Sequence, residues 1–478
     1  MLAWMLACGG APATIATTGP GVMGMTGGDA DGTSETADAG STDDSTTAAA
    51  PTTSTSGPAS STGDGTPTGS TTGSTTGAND TSTTGPAPPP ELVTTPITDM
   101  NRAYVEMHGG WGHHLRGLMR AADDSLWFTV DAGEDVLHNR TIRYFRRGVG
   151  EAAWTLVTEQ QHTDGVQQNA GSILLDGLIL TYAVNITQHI LEECYLVVGD
   201  PTQRACNAIT ISGAVYVTPP AANYVGAAVL GDGARIVWFT VVGENGGPGE
   251  LIYTYNYGGG WNGPVVAGLG GANDIGYVHA MATAADGLAL VGQTFTGSYP
   301  NGIYAAVVAD LTPGQLPTFL ALAPPDLAAK VRSSADLFHD PASGATHVLA
   351  SFDGAVAYYH RPGGAAWADH LQPLHVFPDT YRARFVRPEG GPLSLARGSA
   401  SDQGTWLHHA ASGDLADAVA WADAKVVPVT APAAGFLAPS AIYVESATYQ
   451  RTPVGALGFA LCGQYALADH QIFHVTSE

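Results

Sequence analysis

The chain has 478 residues, room for several domains or for one large repeat fold with a tail. Asp and Glu number 43 against 18 Lys and Arg, a formal net charge of -25, which opposes binding to nucleic acid or to an anionic membrane surface. A hydrophobic share of 44% is ordinary for a globular protein, while charged residues are scarce at 13%.

The opening decapeptide, MLAWMLACGG, sets a short apolar run directly before Cys8. Met5-Leu6-Ala7-Cys8 resembles a bacterial lipobox, which implies a signal segment over residues 1–8 and a lipid on Cys8. An upstream start would supply the basic opening and the length that a secretory signal needs. From Gly9 to about Pro90, the bulk of a linker placed at residues 9–95, the chain is almost wholly Ser, Thr, Gly, Ala, Pro and Asp, with units such as TGSTTGSTTG, and the first basic residue of the chain is Arg102. Without aromatics or branched apolar clusters this stretch has nothing to offset the entropy of ordering, so a disordered linker is expected. As a coil it would span ~50 Å. No other stretch is long enough to cross a membrane, so membrane contact is expected only through the lipid. A lipid, a flexible stalk and a globular domain make a cell-envelope or extracellular layout.

The folded part, residues 96–478, is a repeat array. VHAMATAADGLALVGQTF, from Val278 to Phe295, reads as a strand, a tight Asp286-Gly287 turn and a second strand. Further copies align on a small residue early in the first strand: Gly117, Ala170, Gly226, Ala280, Ala335, Ala383 and Ala441, at intervals of 53, 56, 54, 55, 48 and 58 residues. The second strands are SLWFTVD, LILTYAVN, ARIVWFTVV, LALVGQTF and ATHVLASF, close to continuously apolar, as strands buried on both faces should be. Four short strands per repeat without an amphipathic helix specify an all-β fold, a seven-bladed β-propeller, with six or eight blades as the alternatives. The last copy has only 38 residues and three evident strands, Ser440 to Val444, Val454 to Leu461 and Gln471 to Val475. The stretch 102–108, RAYVEMH, is expected to complete that blade as its outer strand and so remove an open edge.

Cys194 and Cys206 flank a hairpin centred near Asp200-Pro201 and stand opposite each other by equal counting, which predicts a disulfide outside the cytoplasm. Cys462 is left without a partner and reads as a buried apolar thiol.

Loops leading into the innermost strands of a propeller open on one face around the axis. The residues just before the small anchors form a ring there: Arg116, Asn169, Val225, His279, Ser334, Arg382 and Ser440. Tyr381 and His114 lie beside it, and the inbound loops add Asp164, Asp274, His375 and Asp379. Arg116 and Arg382 with a His and a Tyr form a set suited to a carboxylate, sulfate or phosphate. Structural pairing of these groups with neighbouring Asp is the competing reading. His408 and His409 are consecutive in an expected strand and so cannot chelate together. His113 and His114 with His108 have no Cys or carboxylate at ligand spacing. No metal and no cofactor are expected, and no nucleophile elbow, HExxH or phosphate-binding loop occurs.

The start and stalk resemble those of large exported proteins of myxobacteria. SASDQGTW, Ser399 to Trp406, resembles the Asp box of sialidase-like propellers, one residue short between Gly404 and Thr405. That resemblance implies an arginine triad, here Arg116, Arg382 and Arg332, with Tyr381 as nucleophile. The reading is a binding module, expected as a monomer, for a cell-envelope glycan, a small anionic ligand or a protein. The alternative is a glycosidase or lyase acting on an acidic polysaccharide.

Overall fold

The computed structural model describes residues 92–97, 116–132, 141–161, 166–185, 190–210, 222–229, 235–241, 250–256, 260–268, 275–284, 287–294, 302–308, 317–326, 331–340, 342–386, 394–399, 406–410, 417–422, 425–429, 439–445, 458–466 and 469–477. Among them 28 strands hydrogen-bond in groups of four. Five groups are separate sheets. The other two join into one eight-stranded sheet, because Arg116–Arg120 pairs in parallel with Pro439–Glu445. The innermost strands are Arg116–Arg120, Val166–Leu175, Ala222–Val229, Ile275–Ala284, Val331–His339, Thr380–Val386 and Pro439–Glu445. Each lies beside the next and the last lies beside the first, so the sheets close as the seven blades of a β-propeller, numbered here in chain order.

All seven small anchors fall in these strands. The reason for small size is explicit at two of them. A Cβ on Gly226 would lie 2.2 Å from the Trp238 ring, and one on Gly117 would lie 2.6 Å from the Thr129 carbonyl oxygen.

The continuous apolar character of the second strands follows from two-sided burial. In blade 1, Trp127 packs with Ile179 and Cys194 of blade 2, whereas its neighbour Phe128 packs with Ile472 of blade 7. In blade 3, Val237 faces Tyr182 and Leu191 of blade 2, while Trp238 faces Leu290 and Tyr304 of blade 4. Leu349 joins blade 6 residues Phe385 and Leu395, and Val348 on the other side joins Val291 of blade 4. Alternate side chains therefore serve alternate neighbours, and the core is a circle of apolar layers between blades.

The ring is closed by a strand from before the first blade, at a place other than expected. Leu92–Pro96 pairs antiparallel with Asp469–Ser477, from Leu92↔Ser477 to Pro96↔Phe473. The Ile97 N–H then donates to the Ile472 carbonyl at 2.8 Å. The folded region thus begins before residue 96, and residues 102–108 lie outside the described residues. Pro96 lacks an N–H, which an edge strand tolerates and an interior strand does not. In the same blade the middle strand is Gly458–Ala466, offset from the expected Val454 to Leu461, and Cys462 pairs Ile472.

Cys194 and Cys206 are directly opposed in the blade 2 hairpin and joined by a disulfide, with Cα atoms 4.0 Å apart. That close approach is the non-hydrogen-bonded type of pair. Helix is confined to two short pieces among the described residues, a 3-10 turn Trp367–Asp369 and a helix Ala418–Ala422. Trp421 of that helix is buried against Tyr358 and Phe377 of blade 5, with ring centroids 5.1 and 5.8 Å away. No described helix is long and apolar enough to cross a membrane.

Candidate functional site

The seven ring residues all lie in the first half of their innermost strands. At that level the pairing to the second strand breaks register in six blades. The breaks fall between Asn169 and Ser172, Asn223 and Gly226, Val278 and Ala280, Val331 and Ala335, Thr380 and Arg382, and Pro439 and Ala441. In blade 1 the antiparallel ladder begins only at Leu118, and Arg116 pairs instead with Val444 of blade 7. A break of this kind takes a residue out of the ladder, bends the strand and suspends the strict alternation of side chains. Val225, His279, Ser334 and Ser440 stand inside breaks, and Asn169 and Arg382 on their borders. Tyr381 stands inside the break of blade 6, and Arg332 inside that of blade 5. The backbone therefore brings the ring residues to one level around the axis. His114, Asp164 and Asp274 lie outside the described residues, as do His108, His113 and Cys8.

The loop leading into blade 6 has the most completely described side chains on this face. Asp379 has φ 50, a left-handed conformation that Asp adopts more readily than most residues. Ser399 Oγ donates to Asp379 Oδ2 at 2.7 Å. Arg397 Nη1 donates to Thr380 Oγ1 at 2.7 Å and to the Pro378 carbonyl at 3.2 Å. The Thr380 N–H donates to the Gly354 carbonyl at 3.3 Å, which ties this loop to the turn between the second and third strands of blade 5. Burial lowers the Arg397 pKa, and the Asp379 carboxylate opposes that shift. His375 packs edge-on to Phe377, with centroids 4.6 Å apart. Its pKa is held below the usual 6.5 by burial and by the Arg397 charge, so the ring is neutral at pH 7. Tyr381 and Arg382 follow directly on this loop, which is tied on both sides by the bonds of Thr380 and Arg397.

Other polar residues serve the fold. His408 and His409 are consecutive in Trp406–Ala410, His408 opposite Ala396 and His409 opposite Leu395, and so belong to opposite faces of the sheet. Glu192, Cys194 and Cys206 form the one grouping of metal-ligand type among the described residues, but the cysteines are bonded to each other. Residues 400–405 of the Asp-box-like stretch lie outside the described residues.

One buried ionic cluster had no signal in the sequence. Arg235 of blade 3 reaches Glu193 of blade 2 at 3.2 Å, with its guanidinium 5.3 Å from the Trp261 ring centroid. Tyr182 meets Trp261 edge-on at 5.6 Å, and burial, followed by the Glu193 charge, raises its pKa well above 10.0. Tyr182 and Glu193 are cross-strand partners, but Arg235 arrives from another blade. The cluster sits in a blade interface and reads as a structural tie.

No protein-family model matches the sequence, and no curated protein matches it. Solved structures do resemble it in fold. A lectin from Burkholderia pseudomallei, BP39L, has 14% identity over 80% of this chain and 95% of its own, with a TM-score of 0.46. An α-L-arabinofuranosidase of Fusarium graminearum in complex with arabinobiose has 11% identity over 80% and 97%, with a TM-score of 0.43. A polysaccharide lyase described as an ulvan lyase has 8% identity over 79% and 95%, with a TM-score of 0.48.

Proposed function

We propose that this chain is an exported propeller that works as a binding module. Its ligand is a glycan or another molecule bearing carboxylate, sulfate or phosphate groups, taken at the axial ring. The supporting observation is the interruption of the innermost ladder at the ring position in six blades, and in blade 1 a ladder that begins only after Arg116, so that Arg116, Asn169, His279, Ser334 and Arg382 fall at or beside these breaks. Arginine offers a planar fork of donors matched to two-oxygen anions, and Asn, His and Ser add neutral hydrogen bonds that suit sugar hydroxyls. The hydrogen-bonded blade 6 loop beside the ring is in keeping with recognition. Export and anchoring through Cys8, with the Ser/Thr/Gly-rich stretch as stalk, complete the proposal and place the ligand at the cell envelope.

The test is thermal unfolding of the full chain against uronic acid oligosaccharides, sulfated sugars, acetate and phosphate. The Arg116→Ala/Arg382→Ala variant runs in parallel. A ligand in roughly hundred-fold excess over its Kd adds ~2.7 kcal/mol. The expected result is a melting shift in the wild type that the variant lacks. A wild type that no ligand shifts, beside a variant that melts early, would make the arginines structural and move the search to protein partners.

A second reading, cleavage of an acidic polysaccharide, draws on Asp379 and Tyr381, which stand two positions apart beside Arg382. It requires new reducing ends or unsaturated uronate products from such a polymer, lost in Tyr381→Phe. The absence of product from every acidic polymer tried sinks it.

A further inference from the structure

At the seam between blades 7 and 1, four nitrogen-bearing side chains converge. Arg120 ends the innermost strand of blade 1, and Arg147 ends its third strand, Thr141–Arg147. Trp154 immediately precedes the outer strand, Thr155–Gln161. First and third strands finish at the same rim, so these residues lie at the end of the blade away from the inbound loops. His474 comes across from the third strand of blade 7.

Their geometry is close. Trp154 and His474 meet edge to face with centroids 5.3 Å apart, and the Arg147 guanidinium stands 5.7 Å from the centroid of the Trp154 ring. His474 is 1% exposed and Trp154 8%. Both ring nitrogens of His474, Trp154 Nε1 and Arg120 Nε are buried without a hydrogen-bond partner among the described residues. The charges of Arg147 and Arg120 both bear on His474, and that of Arg120 bears on Arg147.

Of the acids on the same rim, Asp123 stands 3.7 Å from Arg146, and Glu151, in the turn between Arg147 and Trp154, accepts from the Gly148 N–H at 2.7 Å. The cluster therefore combines two cations, an indole N–H and an imidazole, with no acidic group among its described members. Buried donors without acceptors are costly, and like charges side by side add to the cost. A small anion with several acceptor oxygens relieves both.

We propose that this seam is a binding site for a tetrahedral oxyanion, sulfate or phosphate, held between Arg120 and Arg147 with Trp154 and His474 donating from the buried side. The site is separate from the axial ring and does not depend on the function proposed for it. The same chemistry has two sources, a free inorganic ion or a sulfate or phosphate ester on a sugar. The near-complete burial of His474 favours the free ion.

The experiment uses the full chain labelled with nitrogen-15, with the Trp154 indole resonance identified by its loss in Trp154→Phe. Sodium sulfate, sodium phosphate and glucose 6-sulfate are titrated against sodium chloride at matched ionic strength, and melting temperature is read in parallel. Expected is a saturable shift of the Trp154 signal and a higher melting temperature with sulfate or phosphate but not chloride. The Trp154 shift should be absent in Arg147→Gln and retained in Arg116→Ala/Arg382→Ala, whereas the rise in melting temperature should shrink in either variant, because the axial ring takes the same anions. Saturation by glucose 6-sulfate as well would identify an ester as the source, and its failure the free ion. A Trp154 signal indifferent to all three, or a Trp154 shift that survives Arg147→Gln, overturns the proposal. So does a Trp154 shift lost only in the axial variant. Should Arg147→Gln not fold, Arg120→Gln with the same readout takes its place.

Discussion

Gly226 lies against the face of Trp238, whose ring would stand 2.2 Å from any Cβ placed there. Trp238 is fully buried between blades 3 and 4, so the ring has nowhere to retreat. Gly226→Ala should destabilise the fold by ~1–3 kcal/mol, the usual cost of overpacking, read from the midpoint of denaturant unfolding with the slope unchanged. His474 makes a prediction of a different kind. Burial, followed by the charges of Arg147 and Arg120, lowers its pKa from 6.5 to about 3. A depressed histidine pKa means that the unfolded chain takes up a proton below pH 6.5 while the folded chain does not, so stability falls as the pH drops toward the folded value. In buffer free of sulfate and phosphate, the wild type should lose ~1.4 kcal/mol more per pH unit than His474→Gln between these limits. Parallel curves for the two proteins would show that His474 is not held neutral. The small anchors were legible in the sequence because a recurring Gly or Ala at fixed spacing is a local pattern. The His474 cluster was not, because its members come from separate strands of two blades and meet only across a seam.

At the scale of the strand and hairpin, the second strands were readable because two-sided burial leaves a run of apolar residues with few polar interruptions. The blade 2 hairpin was readable for a similar reason, since equal counting from one turn places Cys194 opposite Cys206. Loop-closure entropy for a bridge of this span amounts to about 3 kcal/mol. A Cys194→Ala/Cys206→Ala variant should lose up to that amount of stability, measured by denaturation with and without reductant. The wild type under reductant should approach the variant, and coincident wild-type curves in both conditions would rule out a contribution from the bridge. The strands of blade 7 were harder to read. Leu92–Pro96 borders a Ser/Thr/Pro-rich tract and carries too weak an alternation to stand apart from it, whereas 102–108 has the stronger strand composition. Pairing to Asp469–Ser477 selected the weaker sequence, as edge strands often allow.

For the whole molecule, closure of the ring joins residues near the start of the folded region to those at its end. A chain beginning after residue 97 lacks the outer strand of blade 7 and exposes the edge of Asp469–Ser477. It should melt well below the full chain and self-associate with rising concentration, whereas a chain beginning at residue 89 should match the full chain in both respects. Equal melting temperatures for the two truncations would deny the strand a closing role. Blade number and the all-β class were open to sequence reading because both rest on repetition and on the period of apolar residues, which are properties of short stretches. Which strand closes the last blade, where the innermost ladders slip, and which cations meet at the seam belong to a different class of fact. They depend on strands far apart in the chain arriving at one register and one wall, and that arrangement is set by ring closure and inter-blade packing, not by any local preference of the residues concerned.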